Sequence, residues 1–93
     1  MFEKILRRMH EKIQNRQYVI TLHAEEEMDA DGLTVFDVER VLLGGKIVER
    51  QKVQETNEWK YRIRGESIDA RKIELIAKMS ITGKVVIITV YEI

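Results

Sequence analysis

Cysteine is absent from the 93 residues, which excludes a disulfide framework, a thiolate zinc site and a cysteine nucleophile. Histidine is nearly so: His10 and His23 fall in different predicted helices, and no H-E-x-x-H motif links them. The acids three and four residues after His23 resemble capping more than a coordination sphere, so no metal and no cofactor is expected. No apolar run approaches the roughly 18 residues needed to cross a bilayer. The longest, Val85 to Val90, is broken only by Thr89 and fits a buried strand. Phe2 to Arg16 is too charged for a signal peptide, so the expected address is the cytoplasm. Net charge is missing as well: 16 Lys and Arg against 16 Asp and Glu leave no bulk attraction to nucleic acid or membrane. Gly44-Gly45-Lys46 lacks phosphate-loop spacing and ends a helix instead of opening one. Neither of the two serines, Ser67 and Ser80, lies in a nucleophile elbow.

What is present describes one domain over residues 1–93, since two cores would each be marginal at this length. Charge is unevenly spread. Residues 1 to 45 carry 6 bases and 9 acids, and residues 46 to 93 carry 10 and 7, so the first half is acidic and the second basic. Phe2, Ile5, Leu6, Met9 and Ile13 fall at helical spacing and predict an amphipathic helix over residues 2–16. Tyr18 to Thr21 reads as an extended connector, with Thr21 as N-cap of a helix from Leu22 to Ala30 that Gly32 terminates. A third helix starts after Thr34, with Asp37 as its capping-box partner, and stops at Gly44-Gly45. From there the period changes to two. Lys46–Lys52, Glu58–Arg64, Lys72–Ser80 and Lys84–Glu92 are predicted strands, and the turn at Ser80 to Gly83 forces a hairpin. The expected fold class is therefore α+β: two to three helices within residues 2–43, packed on a four-stranded antiparallel meander within residues 46–92.

Three features could carry chemistry. The second strand alternates Trp59, Tyr61 and Ile63 with Lys60, Arg62 and Arg64, so one face is apolar and the other bears cations about 6.6–6.8 Å apart. That repeat can track a nucleic-acid backbone, although a plain solvated face has the same pattern. In the last strand Val86, Ile88 and Val90 oppose Val85, Ile87, Thr89 and Tyr91, which makes it central or covered twice and aligns two hydroxyls on one face. His23 has Glu26 and Glu27 three and four residues on, placed to orient an imidazole for acid–base work or to hold it structurally.

Thr21-Leu22-His23-Ala24-Glu25-Glu26-Glu27-Met28, then Asp31-Gly32-Leu33-Thr34, Asp37-Val38, Tyr61, Gly65 and Val86-Ile87-Ile88-Thr89-Val90-Tyr91 together resemble the domain-of-unknown-function family numbered 4258. The likeness spans Tyr18 to Tyr91. It implies a RelE/barnase-like fold and the toxin of a bacterial toxin–antitoxin pair, with an antitoxin of zinc-finger and helix-turn-helix type as partner. Its recurrent polar positions fall on His23, Tyr61, Thr89 and Tyr91. One departure is Glu27, where an H-A-x-x-R-M pattern has arginine.

The activity so implied is metal-independent cleavage of RNA, including ribosome-associated mRNA, through attack of a 2′-hydroxyl on the adjacent phosphate. His23 is then the base or acid, Arg62 the phosphate-binding guanidinium, Thr89 a cleft-lining hydroxyl, and Tyr61 and Tyr91 stack a base or donate a proton. Lys60, Arg64 and Lys78 add positive charge. Two other readings stand beside it: a protein-interaction module without catalysis, and a nucleic-acid binder that cuts nothing.

Overall fold

A computed structural model describes residues 1–93. The first helix, α1 (Glu3–Gln14), buries Met9 and Ile13 on the stripe its spacing predicts. Ahead of it, Phe2 packs edge-on against Tyr61 with ring centroids 6.4 Å apart. The expected connector is a strand, β1 (Tyr18–Ile20), and this corrects the fold to five strands. Three residues are too few to display alternation, so the strand is defined only by its partner. It pairs parallel to the last strand, β5 (Val85–Glu92), through Tyr18 with Val85 and Ile20 with Ile87. Parallel pairing needs a long crossover, and everything between Ile20 and Val85 supplies it.

Next come α2 (Leu22–Asp31), α3 (Val35–Gly44), and the strands β2 (Lys46–Val53), β3 (Glu58–Glu66) and β4 (Lys72–Met79). Thr21 caps α2 by accepting from the Ala24 amide at 3.1 Å, and Gly32 ends the helix in the left-handed region. Thr34 and Asp37 form a full capping box on α3. Buried Asp37 also accepts from the Ile68 amide at 2.8 Å, tying the β3–β4 loop to the helix. The sheet order is β1-β5-β4-β3-β2, and all pairs except β1–β5 are antiparallel, so the expected meander holds.

All three helices contribute to one apolar cluster with Ile63, Leu75, Ala77, Val85, Ile87 and Val90. The alternate positions, Arg62, Arg64, Glu74, Ile76 and Lys78, point to the opposite face. In β5 strict alternation fails. A bulge between the pairs Ile76–Thr89 and Ala77–Ile87 sends Val85, Ile87 and Val90 into the core and turns Thr89 and Tyr91 outward. The residues predicted to share a face are therefore divided at Ile88.

Where α3 meets β3 the backbones almost touch. A Cβ on Gly45 would stand 2.4 Å from the Val41 carbonyl oxygen and 2.5 Å from that of Arg64. One on Gly65 would be 3.1 Å from the Val41 oxygen. Gly44 has open space instead. In urea denaturation, Gly45→Ala should lose roughly 1–3 kcal/mol through overpacking. Gly44→Ala should keep wild-type stability or gain up to about 1 kcal/mol.

Candidate functional site

β1 covers the edge of β5 only as far as Ile87, and beyond it α2 takes the place of a strand. The Thr21 amide still donates to the Ile87 carbonyl at 3.1 Å, and the Thr21 hydroxyl to the Ile88 carbonyl at 3.1 Å. The next edge donor, the Val90 amide, has no strand to meet it. Glu27 does instead: its Oε1 accepts from that amide at 3.1 Å and from the Thr89 hydroxyl at 2.6 Å. The same oxygen lies 3.3 Å from His23 Nε2, one turn earlier on α2. Glu27 is thus half-buried at the sheet edge and holds an exposed imidazole by one nitrogen.

On the helix-free face, register aligns Arg64, Glu74 and Tyr91 across three strands, and Arg62, Ile76 and Thr89 in the row beside them. Glu74 is buried yet fully engaged. Its Oε2 accepts from Arg64 Nε at 2.7 Å and lies 2.6 Å from Nη2, and its Oε1 accepts from the Tyr91 hydroxyl at 2.6 Å. The Tyr91 hydrogen bond and the Arg64 guanidinium hold the Glu74 carboxyl below its ordinary range despite burial. The same hydrogen bond, with burial, pushes the Tyr91 phenol up.

Arg62 is held differently. Its Nη1 stands 3.8 Å from Glu74 and its Nη2 3.5 Å from Glu49, while its buried Nε has no hydrogen-bond partner. Two carboxylates fix its charge from beyond close hydrogen-bond range, and its unbonded Nε is closed off from solvent. Lys60 makes no ion pair and lines a cleft of about 20 Å³ with Glu49, Gln51, Arg62 and Ile76, room for one water. Lys78 donates to Glu58 at 3.1 Å.

His23 and Thr89 are therefore joined through Glu27, and Tyr91, Arg64 and Arg62 through Glu74. Thr89 and Tyr91 are two residues apart on one face and bring both clusters side by side. Tyr61 does not join them. It is buried on the opposite face against Phe2, because alternation that points Arg62 outward must point its neighbour inward. Sequence reasoning missed Glu74 altogether. Its signal was a lone acid between Ile73 and Leu75 in a strand pairing with the cation-bearing one. Glu27 was noted as a neighbour of His23 and as a departure from the family pattern, but not as a partner of the β5 edge. No group of three or more His, Asp or Glu is placed to hold a metal ion, and no helix is long and apolar enough to cross a membrane.

A family model described as a domain of unknown function, DUF4258, matches residues 20–92. The chain belongs to that family. No curated protein and no solved structure matches it. The match takes in every residue of both clusters and omits α1, so in this DUF4258 chain the site is built wholly from the shared segment.

Depressed carboxylates of this kind make stability depend on pH. The Glu74 contribution is complete above its unfolded value near 4.5 and is lost as pH falls through the lower folded value. Melting temperature should therefore drop less between about pH 6 and pH 3 in Glu74→Gln than in wild type. Alkaline absorbance titration should find the Tyr91 phenol in that variant moved down toward 10.

Proposed function

We propose that this chain is a metal-independent endoribonuclease, the toxin of a toxin–antitoxin pair, that cuts RNA by attack of a 2′-hydroxyl on the neighbouring phosphate. One observation supports the reading: an exposed imidazole is joined through Glu27 to Thr89, whose row on the helix-free face also carries the Arg62 guanidinium. Thr89 and Ile76 stand between them in that row, so a substrate would span β5, β4 and β3, two inter-strand steps of about 4.7–4.9 Å each. His23 takes the 2′ proton, and Glu27 steadies the resulting imidazolium. The 2′-oxygen bonds to phosphorus as the bond from phosphorus to the 5′-oxygen breaks. Arg62 donates to the charged intermediate, and Tyr91 releases its hydroxyl proton from Glu74 to the departing 5′-oxygen, with the Arg62 and Arg64 guanidiniums beside Glu74 balancing the phenolate left behind. Lys60 and Arg64 flank the path of the strand, and an antitoxin would cover this face.

A second reading has support of its own. Glu49, Glu58 and Glu74 answer most of the cations beside them, which suits a protein-interaction module as well as an RNA surface.

Incubation with a varied set of single-stranded RNAs in chelator separates the two. Wild type should cut, and His23→Ala and Arg62→Ala should each be slower by roughly 10²-fold at unchanged melting temperature. Tyr61→Phe should stay within about twofold, since that ring is core. Intact RNA from folded wild type across the whole set would leave the interaction module standing. Salt-sensitive binding without scission would leave a nucleic-acid binder.

A further inference from the structure

A groove of about 790 Å³ runs along the outer side of α3 and reaches Arg64 at the start of the face described above, and Phe36, Glu39, Arg40 and Leu43 form one wall. These positions follow the i, i+3, i+4, i+7 spacing of a single helix face. That stripe should face a core, yet it faces solvent: Phe36 is 64% exposed and Leu43 40%. Ile68, on the facing wall, is 61% exposed. Three large apolar side chains around one groove make a patch of the kind that marks an interface. Its charges are unfinished too. Arg40 makes no ion pair within the chain. Glu39 uses Oε2 to accept from the Tyr18 hydroxyl at 2.5 Å and leaves Oε1 unbonded.

We propose that this groove is the seat of a second copy of the same chain, on a two-fold axis running alongside α3. With the two helices parallel, Phe36 opposes Phe36 and Leu43 opposes Leu43. The axis also sets Glu39 of each copy across from Arg40 of the other, so both unfinished charges are answered twice. An antiparallel pairing would set Arg40 against Arg40 and Glu39 against Glu39, so the charge pattern selects the direction. The stripe is self-complementary as an isologous contact requires, and a chain with a formal charge of zero does not repel its copy. Nothing in this depends on RNA cleavage.

Sedimentation equilibrium from about 10 μM to 1 mM tests the pairing. Wild type should shift from 11.0 kDa toward twice that mass. Phe36→Glu and Arg40→Glu should each raise the dissociation constant roughly tenfold or more, with unchanged circular dichroism. In this cysteine-free chain Leu43→Cys should cross-link to itself under mild oxidation, since parallel pairing brings the two positions within disulfide range, whereas Thr82→Cys in the β4–β5 turn should not. A mass of 11.0 kDa at every concentration would overturn the proposal and leave the groove to a different protein. So would a dimer that Phe36→Glu leaves unchanged, or a Leu43→Cys chain that cross-links no better than Thr82→Cys.

Discussion

The site depends on a strand that is too long for its neighbour. β5 runs from Val85 to Glu92, while β1 reaches only to Ile87, so the second half of the β5 edge has backbone donors and no strand to receive them. An unmet buried amide costs about 1–3 kcal/mol, and α2 enters at this point to meet it. Thr21 closes the pairing with β1 and at the same time caps the helix, so strand end and helix start are one residue. Glu27 then follows at the spacing that reaches the Val90 amide and the Thr89 hydroxyl. His23 lies one turn before Glu27 and is carried to the sheet edge by the requirement that Glu27 satisfies. An arginine at position 27 is a donor and could not accept from that amide. In this chain the acid is a consequence of the fold as much as a feature of the surface.

The opposite constraint governs Glu74. A buried carboxylate survives only when its charge is matched and its oxygens are bonded. Both conditions are met from neighbouring strands, by Arg64 on β3 and Tyr91 on β5. The row fixes the register of three strands chemically as well as by backbone pairing. It also fixes two side chains that a solvated face would leave mobile.

Most of the fold was legible because it rests on local signals. The capping threonines, Gly32 and the change of period after Gly45 each have a cause within a few residues. What could not be read rests on pairing between distant segments. β1 is three residues long and exists only because β5 lies beside it. The β5 bulge, which turns Thr89 and Tyr91 away from Val85 and Ile87, leaves no mark in a run that is apolar throughout. Glu27 and Glu74 became visible as hubs only when register brought hydroxyls and guanidiniums to them. Tyr61 is a different case. The alternation that separates it from Arg62 was plain in the sequence, and assigning both to one site set that alternation aside.

Local charge balance decides which cation on the open face can take an anion. Lys78 and Arg64 already hold carboxylates at hydrogen-bond distance, and a phosphate would have to displace Glu58 or Glu74 to reach them fully. Displacing Glu74 would strand a buried charge, a cost of several kcal/mol. Arg62 faces no such exchange. Its carboxylates stand at 3.5 and 3.8 Å, near enough to favour the charge and too far to occupy its donors. It is also the arginine in register with Thr89, the residue that Glu27 links to His23. Arg62 is therefore the cation of this face that an incoming oxyanion reaches at least cost, and the remaining cations act through their field rather than by contact.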